Sequence, residues 1–328
     1  MNYRQFGNTA LKVSEIGFGA WAIGGGAMIG NTAIGWGKAD NTMSANAILK
    51  AVDAGINFFD TADIYGLGHS EMLLGKLLKG KDVIIATKAG NVARNNRFTT
   101  DYSKQYIINA CNDSLKRLQR DTIDYYQLHT AKVDHLQQGE CIEAMEYLKQ
   151  QGKIRYWGLS LNTFHPDAEA YFLFAKNCGD GFQLVLNLVN QRALSILQQC
   201  KDLGYGVIAR MPLQFGLLTG KFDEGATFEV DDHRHNRLTE DIIIISKEAL
   251  KKTWALCEKY NCTKTQLALS YILSYDAVST VIAGIRNEEQ IKLNTTGLFK
   301  LDPSDVQLIE SYGSDNLSEL MKLFEQKG

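Results

Sequence analysis

The chain has 328 residues, of which 35 are lysine or arginine and 37 are aspartate or glutamate, so its formal net charge is −2. The chain therefore lacks the net positive charge that would attract nucleic acid. No apolar run reaches the roughly 18 residues of a membrane span. The N-terminus shows no signal for secretion, and the six cysteines are scattered without a C-x-x-C pair, which suits free thiols. We therefore expect a soluble cytoplasmic protein with one domain over residues 1–328.

Strand-like and helix-like patterns alternate over nearly the whole chain. Short apolar runs bounded by glycine or polar residues predict strands, and apolar residues spaced by three and four predict helices. After a hairpin over 2–14, the predicted strands are 16–20, 56–60, 83–88, 123–129, 154–160, 181–186, 206–209 and 279–283. The predicted helices are about 44–54, 70–78, 103–118, 137–151, 167–177, 191–203, 240–259 and 263–273, followed by one from Asn287 and one from Pro303.

Eight strands alternating with helices predict an α/β fold, specifically a closed (β/α)8 TIM barrel with an N-terminal β-hairpin and extra C-terminal helices. The absence of a G-x-G-x-x-G motif after the first strand disfavours an open doubly wound sheet. Three segments, 24–40, 91–102 and 222–239, are predicted as irregular loops that contact the substrate. The first contains Trp36, which we interpret as a packing residue, as we do Trp254.

Ionisable residues end three consecutive predicted strands. Asp60, Lys88 and His129 stand at these ends, and Tyr65 lies in the loop after the first of them. Because the carboxyl ends of barrel strands meet at one face, the four side chains should converge. A lysine ammonium stabilises a nearby phenolate and so lowers the pKa of a tyrosine, while an aspartate would hold the lysine in place. The group suits general acid–base chemistry on a carbonyl or an alcohol, with a neutral histidine donating to the same oxygen.

A second cluster, Asp231-Asp232-His233-Arg234-His235-Asn236-Arg237, invites comparison with a metal site. A mixed charge run within a long loop is more often a solvated face. We therefore predict no metal site.

Several motifs occur together, in order, over nearly the whole chain. They are AGINFFDTADIYGLGHSEMLLGKLL at 54–78, TK at 87–88, QLH at 127–129, WGLSLN at 157–162, PLQFGLLTGKF at 212–222 and GIRNEEQIKLN at 284–294. With these motifs the sequence resembles the aldo-keto reductase superfamily. The resemblance implies a metal-free reduction of an aldehyde or ketone by NADPH inside a (β/α)8 barrel.

The resemblance also implies residue roles. The family's catalytic tetrad falls on Asp60, Tyr65, Lys88 and His129, with Tyr65 as the general acid. Positions resembling those that hydrogen-bond the nicotinamide carboxamide are Ser160, Asn162 and Gln183. Ala20 and Trp21 resemble positions lining the cofactor and substrate pocket, and Leu213, Gly216, Leu217 and Lys221 resemble the loop that covers the pyrophosphate.

One tetrapeptide departs from the family pattern. After the seventh strand many relatives carry an aromatic residue, which stacks on the nicotinamide, followed by Ser-Pro-Leu. This chain has Arg210-Met211-Pro212-Leu213 instead. An arginine plane can also stack on a ring, although its charge would oppose an oxidised nicotinamide.

The end of the eighth strand predicts the cofactor preference. Gly284 permits close backbone approach, and the helix from Asn287 presents unpaired amides and a positive dipole end to an anion. Arg286 stands just before that helix, where it could grip a 2′-phosphate, and Gln290 and Asn294 share one helix face. We therefore expect NADPH rather than NADH.

Two other functions remain open. One is a regulatory subunit on the same scaffold, similar to the potassium-channel β-subunits, although those relatives carry asparagine at the position of His129. The other is a metal-dependent hydrolase or isomerase, since a barrel alone does not determine function. The substrate class also remains open between a sugar, a polyketide and a simple aldehyde, and the oligomeric state is not predicted.

Overall fold

The computed structural model describes residues 1–30, 32–34, 40–223, 225–230, 232–315 and 317–327, with the backbone alone at 32–34 and 314–315. Two residues named from the sequence, Trp36 and Asp231, lie outside these ranges. Within them, eight parallel strands close into a barrel in which neighbours in the chain are neighbours in space and the last strand pairs with the first. The predicted α/β barrel is confirmed. The strands are β1 (Ile16–Gly19), β2 (Phe58–Asp60), β3 (Ile84–Ala89), β4 (Ile123–His129), β5 (Ile154–Ser160), β6 (Gly181–Val185), β7 (Gly206–Arg210) and β8 (Thr280–Gly284).

The core has two layers. Large apolar side chains between the strands and the surrounding helices form the main cluster, which includes Phe59, Tyr126 and Trp157. A smaller cluster fills the barrel interior and includes Phe58 and Tyr125, both fully buried. This alternation along β2 and β4 follows from the two-residue period of strand side chains.

An N-terminal hairpin closes the end of the barrel at which the strands begin. Its strands Tyr3–Gln5 and Lys12–Ser14 pair antiparallel, as predicted. Phe6 follows the first of them and packs into the interior cluster. A Cβ on Gly206 would lie 2.5 Å from the Phe6 ring, so only glycine lets the ring approach β7 this closely.

Helices connect the barrel strands, mostly where predicted. Their bounds are Asn41–Asp53, His69–Leu78, Lys104–Leu118, Val133–Gln138, Glu140–Gln150, Asp167–Lys176, Leu194–Leu203, Glu240–Ala249, Lys251–Trp254, Leu256–Lys259, Lys264–Leu273, Glu288–Thr295, Pro303–Asp315 and Ser318–Lys327. Gly139, with φ of 84°, separates two helices where one was predicted over 137–151. Among the residues described, none of the helices has the length and apolarity that a membrane span requires.

Two short hairpins replace predicted loops. Ala27–Ile29 pairs with Thr32–Ile34, and Asn91–Arg94 pairs with Arg97–Thr100. The second turns at Asn95 and Asn96, whose positive φ values suit a tight hairpin turn. The Asn96 carboxamide accepts from the Gly30 amide at 2.8 Å, so the two hairpins touch at their turns. Prediction of 91–102 as a loop was wrong because the two adjacent asparagines are a turn signal that outweighs the polarity of the segment.

Candidate active site

Four predicted side chains meet at the carboxyl end of the barrel. Asp60 ends β2, Lys88 lies one residue before the end of β3, and His129 ends β4. The Lys88 Nζ donates to the Asp60 Oδ2 at 2.6 Å and to the Tyr65 hydroxyl at 3.3 Å. The rings of Tyr65 and His129 are 6.0 Å apart, centroid to centroid. The structure therefore brings together the three residues that the sequence placed at strand ends and the tyrosine that it placed in the loop after the first of them.

The Asp60 carboxylate is held from both sides. While Oδ2 accepts from Lys88, Oδ1 accepts from the Gln183 amide at 2.7 Å and from the Gln127 amide at 3.2 Å. The Lys88 ammonium also donates to the Thr61 carbonyl at 2.8 Å. A buried ion pair is stable only when its remaining donors and acceptors are satisfied, and here they are. Sequence reasoning missed the role of Gln127, although it belongs to the QLH motif.

Burial dominates the ionisation of this group. Burial raises the pKa of Tyr65; the Lys88 cation opposes this increase without cancelling it, and the Asp60 charge adds to it. Burial alone would lower the pKa of Lys88, yet its contacts with Asp60 and Tyr65 raise it above the ordinary value. The expected direction of the lysine effect is confirmed, but the expected net lowering of the tyrosine pKa is wrong, because desolvation is the larger effect. At neutral pH the lysine is charged and the phenol keeps its proton.

His129 is neutral in this setting. Burial lowers its pKa well below the ordinary value, and the charges of Lys88 and Arg210 lower it further. Its Nδ1 is buried without a hydrogen-bond partner among the described residues. The Tyr102 hydroxyl donates to the His129 carbonyl at 2.6 Å and so fixes the end of β4.

The loop that carries Tyr65 is tightly constrained. Gly66, Leu67 and Gly68 all have positive φ, with Leu67 at 53°, a conformation that L residues seldom adopt. The next helix is anchored by Glu71, which is fully buried, accepts from the Thr87 hydroxyl and pairs with Arg117 at 2.6 Å. This network fixes the loop directly behind the phenol.

A cleft of about 780 Å³ opens above these residues. It is large enough for a cofactor together with a small substrate. The predicted residues that line it are Trp21, Asp60, Tyr65, His129, Gln183, Arg210, Met211, Pro212, Leu213, Gly216, Lys221, Gly284, Arg286, Gln290 and Asn294. The Trp21 indole contacts the Tyr65 ring edge-on, with centroids 4.7 Å apart.

Four other predicted cofactor residues lie outside the cleft wall. Ala20 is fully buried and donates its amide to the Asp60 carbonyl, while Ser160 and Leu217 are buried behind the surface. Asn162 is exposed, and its carboxamide oxygen accepts from the amides of Phe164 and His165 at 2.9 and 3.1 Å. In this conformation Asn162 closes a turn after β5, so contact with a carboxamide would require its side chain to rotate.

The outer end of the cleft is basic. Lys221, on the loop after β7, has its pKa lowered by partial burial and by the nearby charges of Arg234 and Arg286. The helix Glu288–Thr295 begins beside them, with Asn287 as its N-cap. The Asn294 carboxamide nitrogen is buried without a partner among the described residues, although Asn294 lines the cleft. Three cations, a helix N-terminus and an unsatisfied amide fit the phosphates and adenosine of a dinucleotide.

A family model described as "Aldo/keto reductase family" matches residues 15–313. The chain belongs to this family. It is 32% identical over 336 residues to an L-galactose dehydrogenase from Arabidopsis thaliana, covering 98% of this chain and 94% of the relative. It is 28% identical to a probable voltage-gated potassium channel subunit beta from the same organism, with 90% of each chain covered. A solved structure of the aldo-keto reductase AKR11C1 from Bacillus halodurans, in its holo form, is 31% identical with a TM-score of 0.76 and covers 95% of this chain and 96% of its own.

The interpretation of the charged loop of this aldo/keto reductase as a solvated face is wrong for part of the loop. His233, Arg234 and Arg237 line the cleft. The His233 ring lies between Trp21 and Phe215, with centroids 5.8 and 5.6 Å away. No pattern in the sequence distinguishes these residues from a solvated run, since their position depends on how the loop folds back over the barrel.

The alternative interpretation of the same loop is a metal site. Asp232 instead forms a bidentate ion pair with Arg234, whose Nε donates to Oδ1 at 2.9 Å and whose Nη2 donates to Oδ2 at 2.5 Å. The His235 Nδ1 contacts the Phe228 carbonyl at 2.6 Å. Within the described ranges, no group of three histidine, cysteine or acidic side chains is arranged to hold a metal ion.

Proposed function

We propose that this aldo/keto reductase is an NADPH-dependent oxidoreductase that reduces an aldehyde or ketone, or oxidises the corresponding alcohol or sugar. One observation carries the proposal. A buried lysine, Lys88, contacts both a carboxylate, Asp60, and a phenol, Tyr65, at the mouth of the barrel. A cation next to a protonated phenol stabilises the phenolate that forms when the phenol gives up its proton, so the arrangement suits general acid catalysis on a carbonyl.

When bound, NADPH would supply the hydride to the carbonyl carbon. Tyr65 is the proposed general acid, whose hydroxyl proton passes to the carbonyl oxygen. Lys88 stabilises the phenolate left behind, and Asp60 keeps the lysine charged and oriented. His129, neutral because of burial, donates a hydrogen bond to the same oxygen and so stabilises its developing charge.

The cofactor would lie along the cleft between its two ends. Gln183 lines the inner end, and Lys221, Arg234 and Arg286 surround the phosphate end. Arg286 is the proposed partner of the 2′-phosphate, because a guanidinium can form two parallel hydrogen bonds to a phosphate but has no charge to pair with on a 2′-hydroxyl. Gly216, Leu213 and Leu217 are proposed to cover the pyrophosphate. Ala20, Ser160, Asn162, Met211, Pro212, Gly284, Gln290 and Asn294 stay predictions as cofactor contacts.

The test is a direct search for turnover. Purified protein is mixed with NADPH or NADH and a panel of aldehydes, ketones and dicarbonyls, and the loss of absorbance at 340 nm is followed. Sugars, including L-galactose because of the relative named above, are tested with NADP+ in the oxidative direction. Turnover of at least one substrate with preference for NADPH is expected. Tight NADPH binding without turnover across the panel would instead favour a regulatory subunit, the second function that the relatives allow.

Two features favour the enzyme over its alternatives. All four tetrad positions are present and converge, whereas the resemblance gives the channel subunits asparagine at the position of His129. The family assignment disfavours a metal-dependent hydrolase or isomerase.

Two broader expectations remain proposals. The family match over residues 15–313 and the hairpin contacts to the barrel support one domain spanning 1–328. The proposed cytoplasmic location is supported by the cysteine usage.

A further inference from the structure

Two of the six cysteines lie together at the end of the helix Leu256–Lys259. The Cys262 amide donates to the Cys257 carbonyl at 3.0 Å, and the Asn261 amide donates to the Glu258 carbonyl at 3.2 Å. Asn261 has φ of 46°, in the left-handed region. These features define a Schellman motif, in which the side chains of the first and last residues commonly pack against each other. In this chain both of those side chains are thiols.

The two thiols interact and are partly exposed. Burial raises the pKa of Cys257, while its contact with Cys262 and the charge of Lys264 oppose that rise. Burial and the neighbouring Cys257 raise the pKa of Cys262 to about 11. The thiolate is the nucleophilic form of cysteine. Cys257 is therefore the thiol that attacks more readily, and Cys262 is the protonated partner beside it.

The motif adjoins the outer end of the cleft. Thr263, the residue after Cys262, caps the helix Lys264–Leu273 by accepting from the Gln266 amide at 3.2 Å, and it lines the cleft. The Lys264 side chain fills the space beside Gly220, where a Cβ would come within 2.5 Å of it. Gly220 belongs to the loop after β7. A disulfide in the motif would therefore lie one residue from the cleft wall.

We propose that Cys257 and Cys262 form a modification site, a dithiol that a low-molecular-weight disulfide such as glutathione disulfide oxidises reversibly to an intramolecular disulfide. The Cys257 thiolate attacks one sulfur of the small disulfide, whose S–S bond breaks and releases one thiolate. Cys262 then gives up its proton and attacks the Cys257 sulfur, which releases the second small thiol. The protein loses two electrons and the small disulfide gains them. The inference goes beyond the proposed reduction and does not depend on it.

The experiment maps the oxidised cysteines. Wild-type protein is equilibrated with glutathione and glutathione disulfide at several ratios, quenched with acid, alkylated and digested with trypsin. Because trypsin cleaves after Lys259, between the two cysteines, the disulfide should appear as peptides 253–259 and 260–264 joined together and separated by reduction. The buried Cys111 and Cys200 should remain free thiols. Linkage of other cysteines in place of this pair would overturn the proposal.

Two serine variants test the order of attack. Cys262→Ser keeps the attacking thiol and lacks the thiol that closes the disulfide, so the mixed disulfide with glutathione should accumulate on Cys257. In Cys257→Ser the mixed disulfide should form on Cys262 several-fold more slowly, because less of that thiol is ionised. Cys178, which is partly exposed and lies outside the motif, is the control within each variant. Equal rates at Cys257 and Cys262 would contradict the assignment of the attacking thiol.

Titration in urea tests whether the fold prepares the pair. A disulfide that fits the folded structure forms more readily there than in the unfolded chain, by the factor with which it stabilises the fold. We expect the equilibrium constant for oxidation by glutathione disulfide to be roughly tenfold or more higher in the folded protein than in urea. A constant in the folded protein no higher than that in urea would overturn the proposal, as would mixed disulfides without closure in the wild type.

Discussion

The two ends of the cleft are built differently. At the inner end, the side chains of Lys88 and Asp60 are 0% and 2% exposed and bond to each other. At the outer end Lys221 is exposed and Arg286 half-buried, and like charges lie together. Paired charges in a buried site adjust pKa values, whereas clustered accessible cations attract an anion. We therefore expect the inner end to control the rate of turnover and the outer end to control the affinity for the cofactor. Substitutions at the two ends should separate these effects.

The largest effect is expected for Tyr65→Phe. The change removes the hydroxyl that Lys88 contacts and keeps the ring that packs edge-on against Trp21. Loss of a general acid typically lowers the rate by about a hundredfold to ten-thousandfold. We expect turnover to fall by that much while the NADPH dissociation constant, measured by fluorescence, stays within a few-fold.

Tyr147→Phe is the matched control. Its side chain is 41% exposed on the helix Glu140–Gln150 and does not line the cleft. It should behave as the wild type in both measurements. Near-normal turnover in Tyr65→Phe would show that Tyr65 is not the general acid. It would also contradict control of the turnover rate by the inner end of the cleft.

Lys88→Met should lower both rate and stability. The change removes the cation that keeps the Tyr65 pKa from rising further and leaves the Asp60 carboxylate buried without its ion pair. In alcohol oxidation, which needs the phenolate, the ionisation seen in the pH–rate profile should move to higher pH. Breaking a buried pair typically costs about 3–5 kcal/mol of unfolding free energy, measurable by urea denaturation. Adding Asp60→Asn should recover part of this loss, and an unchanged pH profile in the active variant would contradict the role of Lys88.

Arg286→Ala should change the affinity for the cofactor and not the rate of turnover. Removal of a charge-assisted contact should weaken NADPH binding by roughly tenfold to a hundredfold and NADH binding much less. The kcat at saturating NADPH should hardly change. Lys292→Ala, an exposed cation on the following helix, is the control for general loss of positive charge. If Arg286→Ala weakened the binding of NADPH and of NADH by the same factor, the 2′-phosphate site would lie elsewhere.

The smallest expected effect concerns His129 and pH. Because its pKa in the folded protein lies well below the ordinary value, the unfolded chain binds one more proton than the folded one once the pH falls below about 6.5. Stability should therefore decline on acidification with a slope of up to about 1.4 kcal/mol per pH unit from this residue. The measurement is urea denaturation at several pH values, and His129→Asn should have the shallower slope between pH 6.5 and 5. Identical slopes would show that the histidine is not held neutral.

The sequence predicted the barrel and the tetrad because both depend on local order. Strand periodicity places Asp60, Lys88 and His129 at the ends of consecutive strands, and parallel strands bring such ends together whatever the loops do. Tyr65 lies near these residues because it stands only five positions after Asp60, at which β2 ends.

What the sequence did not predict depends on distant contacts. The carboxamide of Gln127 meets Asp60 across 67 positions in the chain, and His233 reaches Trp21 only because a long loop folds back over the mouth. The direction of the Tyr65 pKa shift could not be predicted for a related reason. A charged neighbour is visible in a motif, but desolvation is a property of the assembled structure.

The N-terminal hairpin has a consequence for synthesis on the ribosome. The Arg4 guanidinium donates to the carbonyls of Leu273 and Val278, and β1 obtains one of its two partners from β8. Both contacts join residues that lie far apart in the sequence, so the later partner is synthesised long after the earlier one. Until β8 leaves the exit tunnel, β1 presents an unpaired strand edge to other nascent chains, which is a recognised route to aggregation. We therefore expect the growing chain to be most prone to aggregation in the interval between the synthesis of β1 and that of β8.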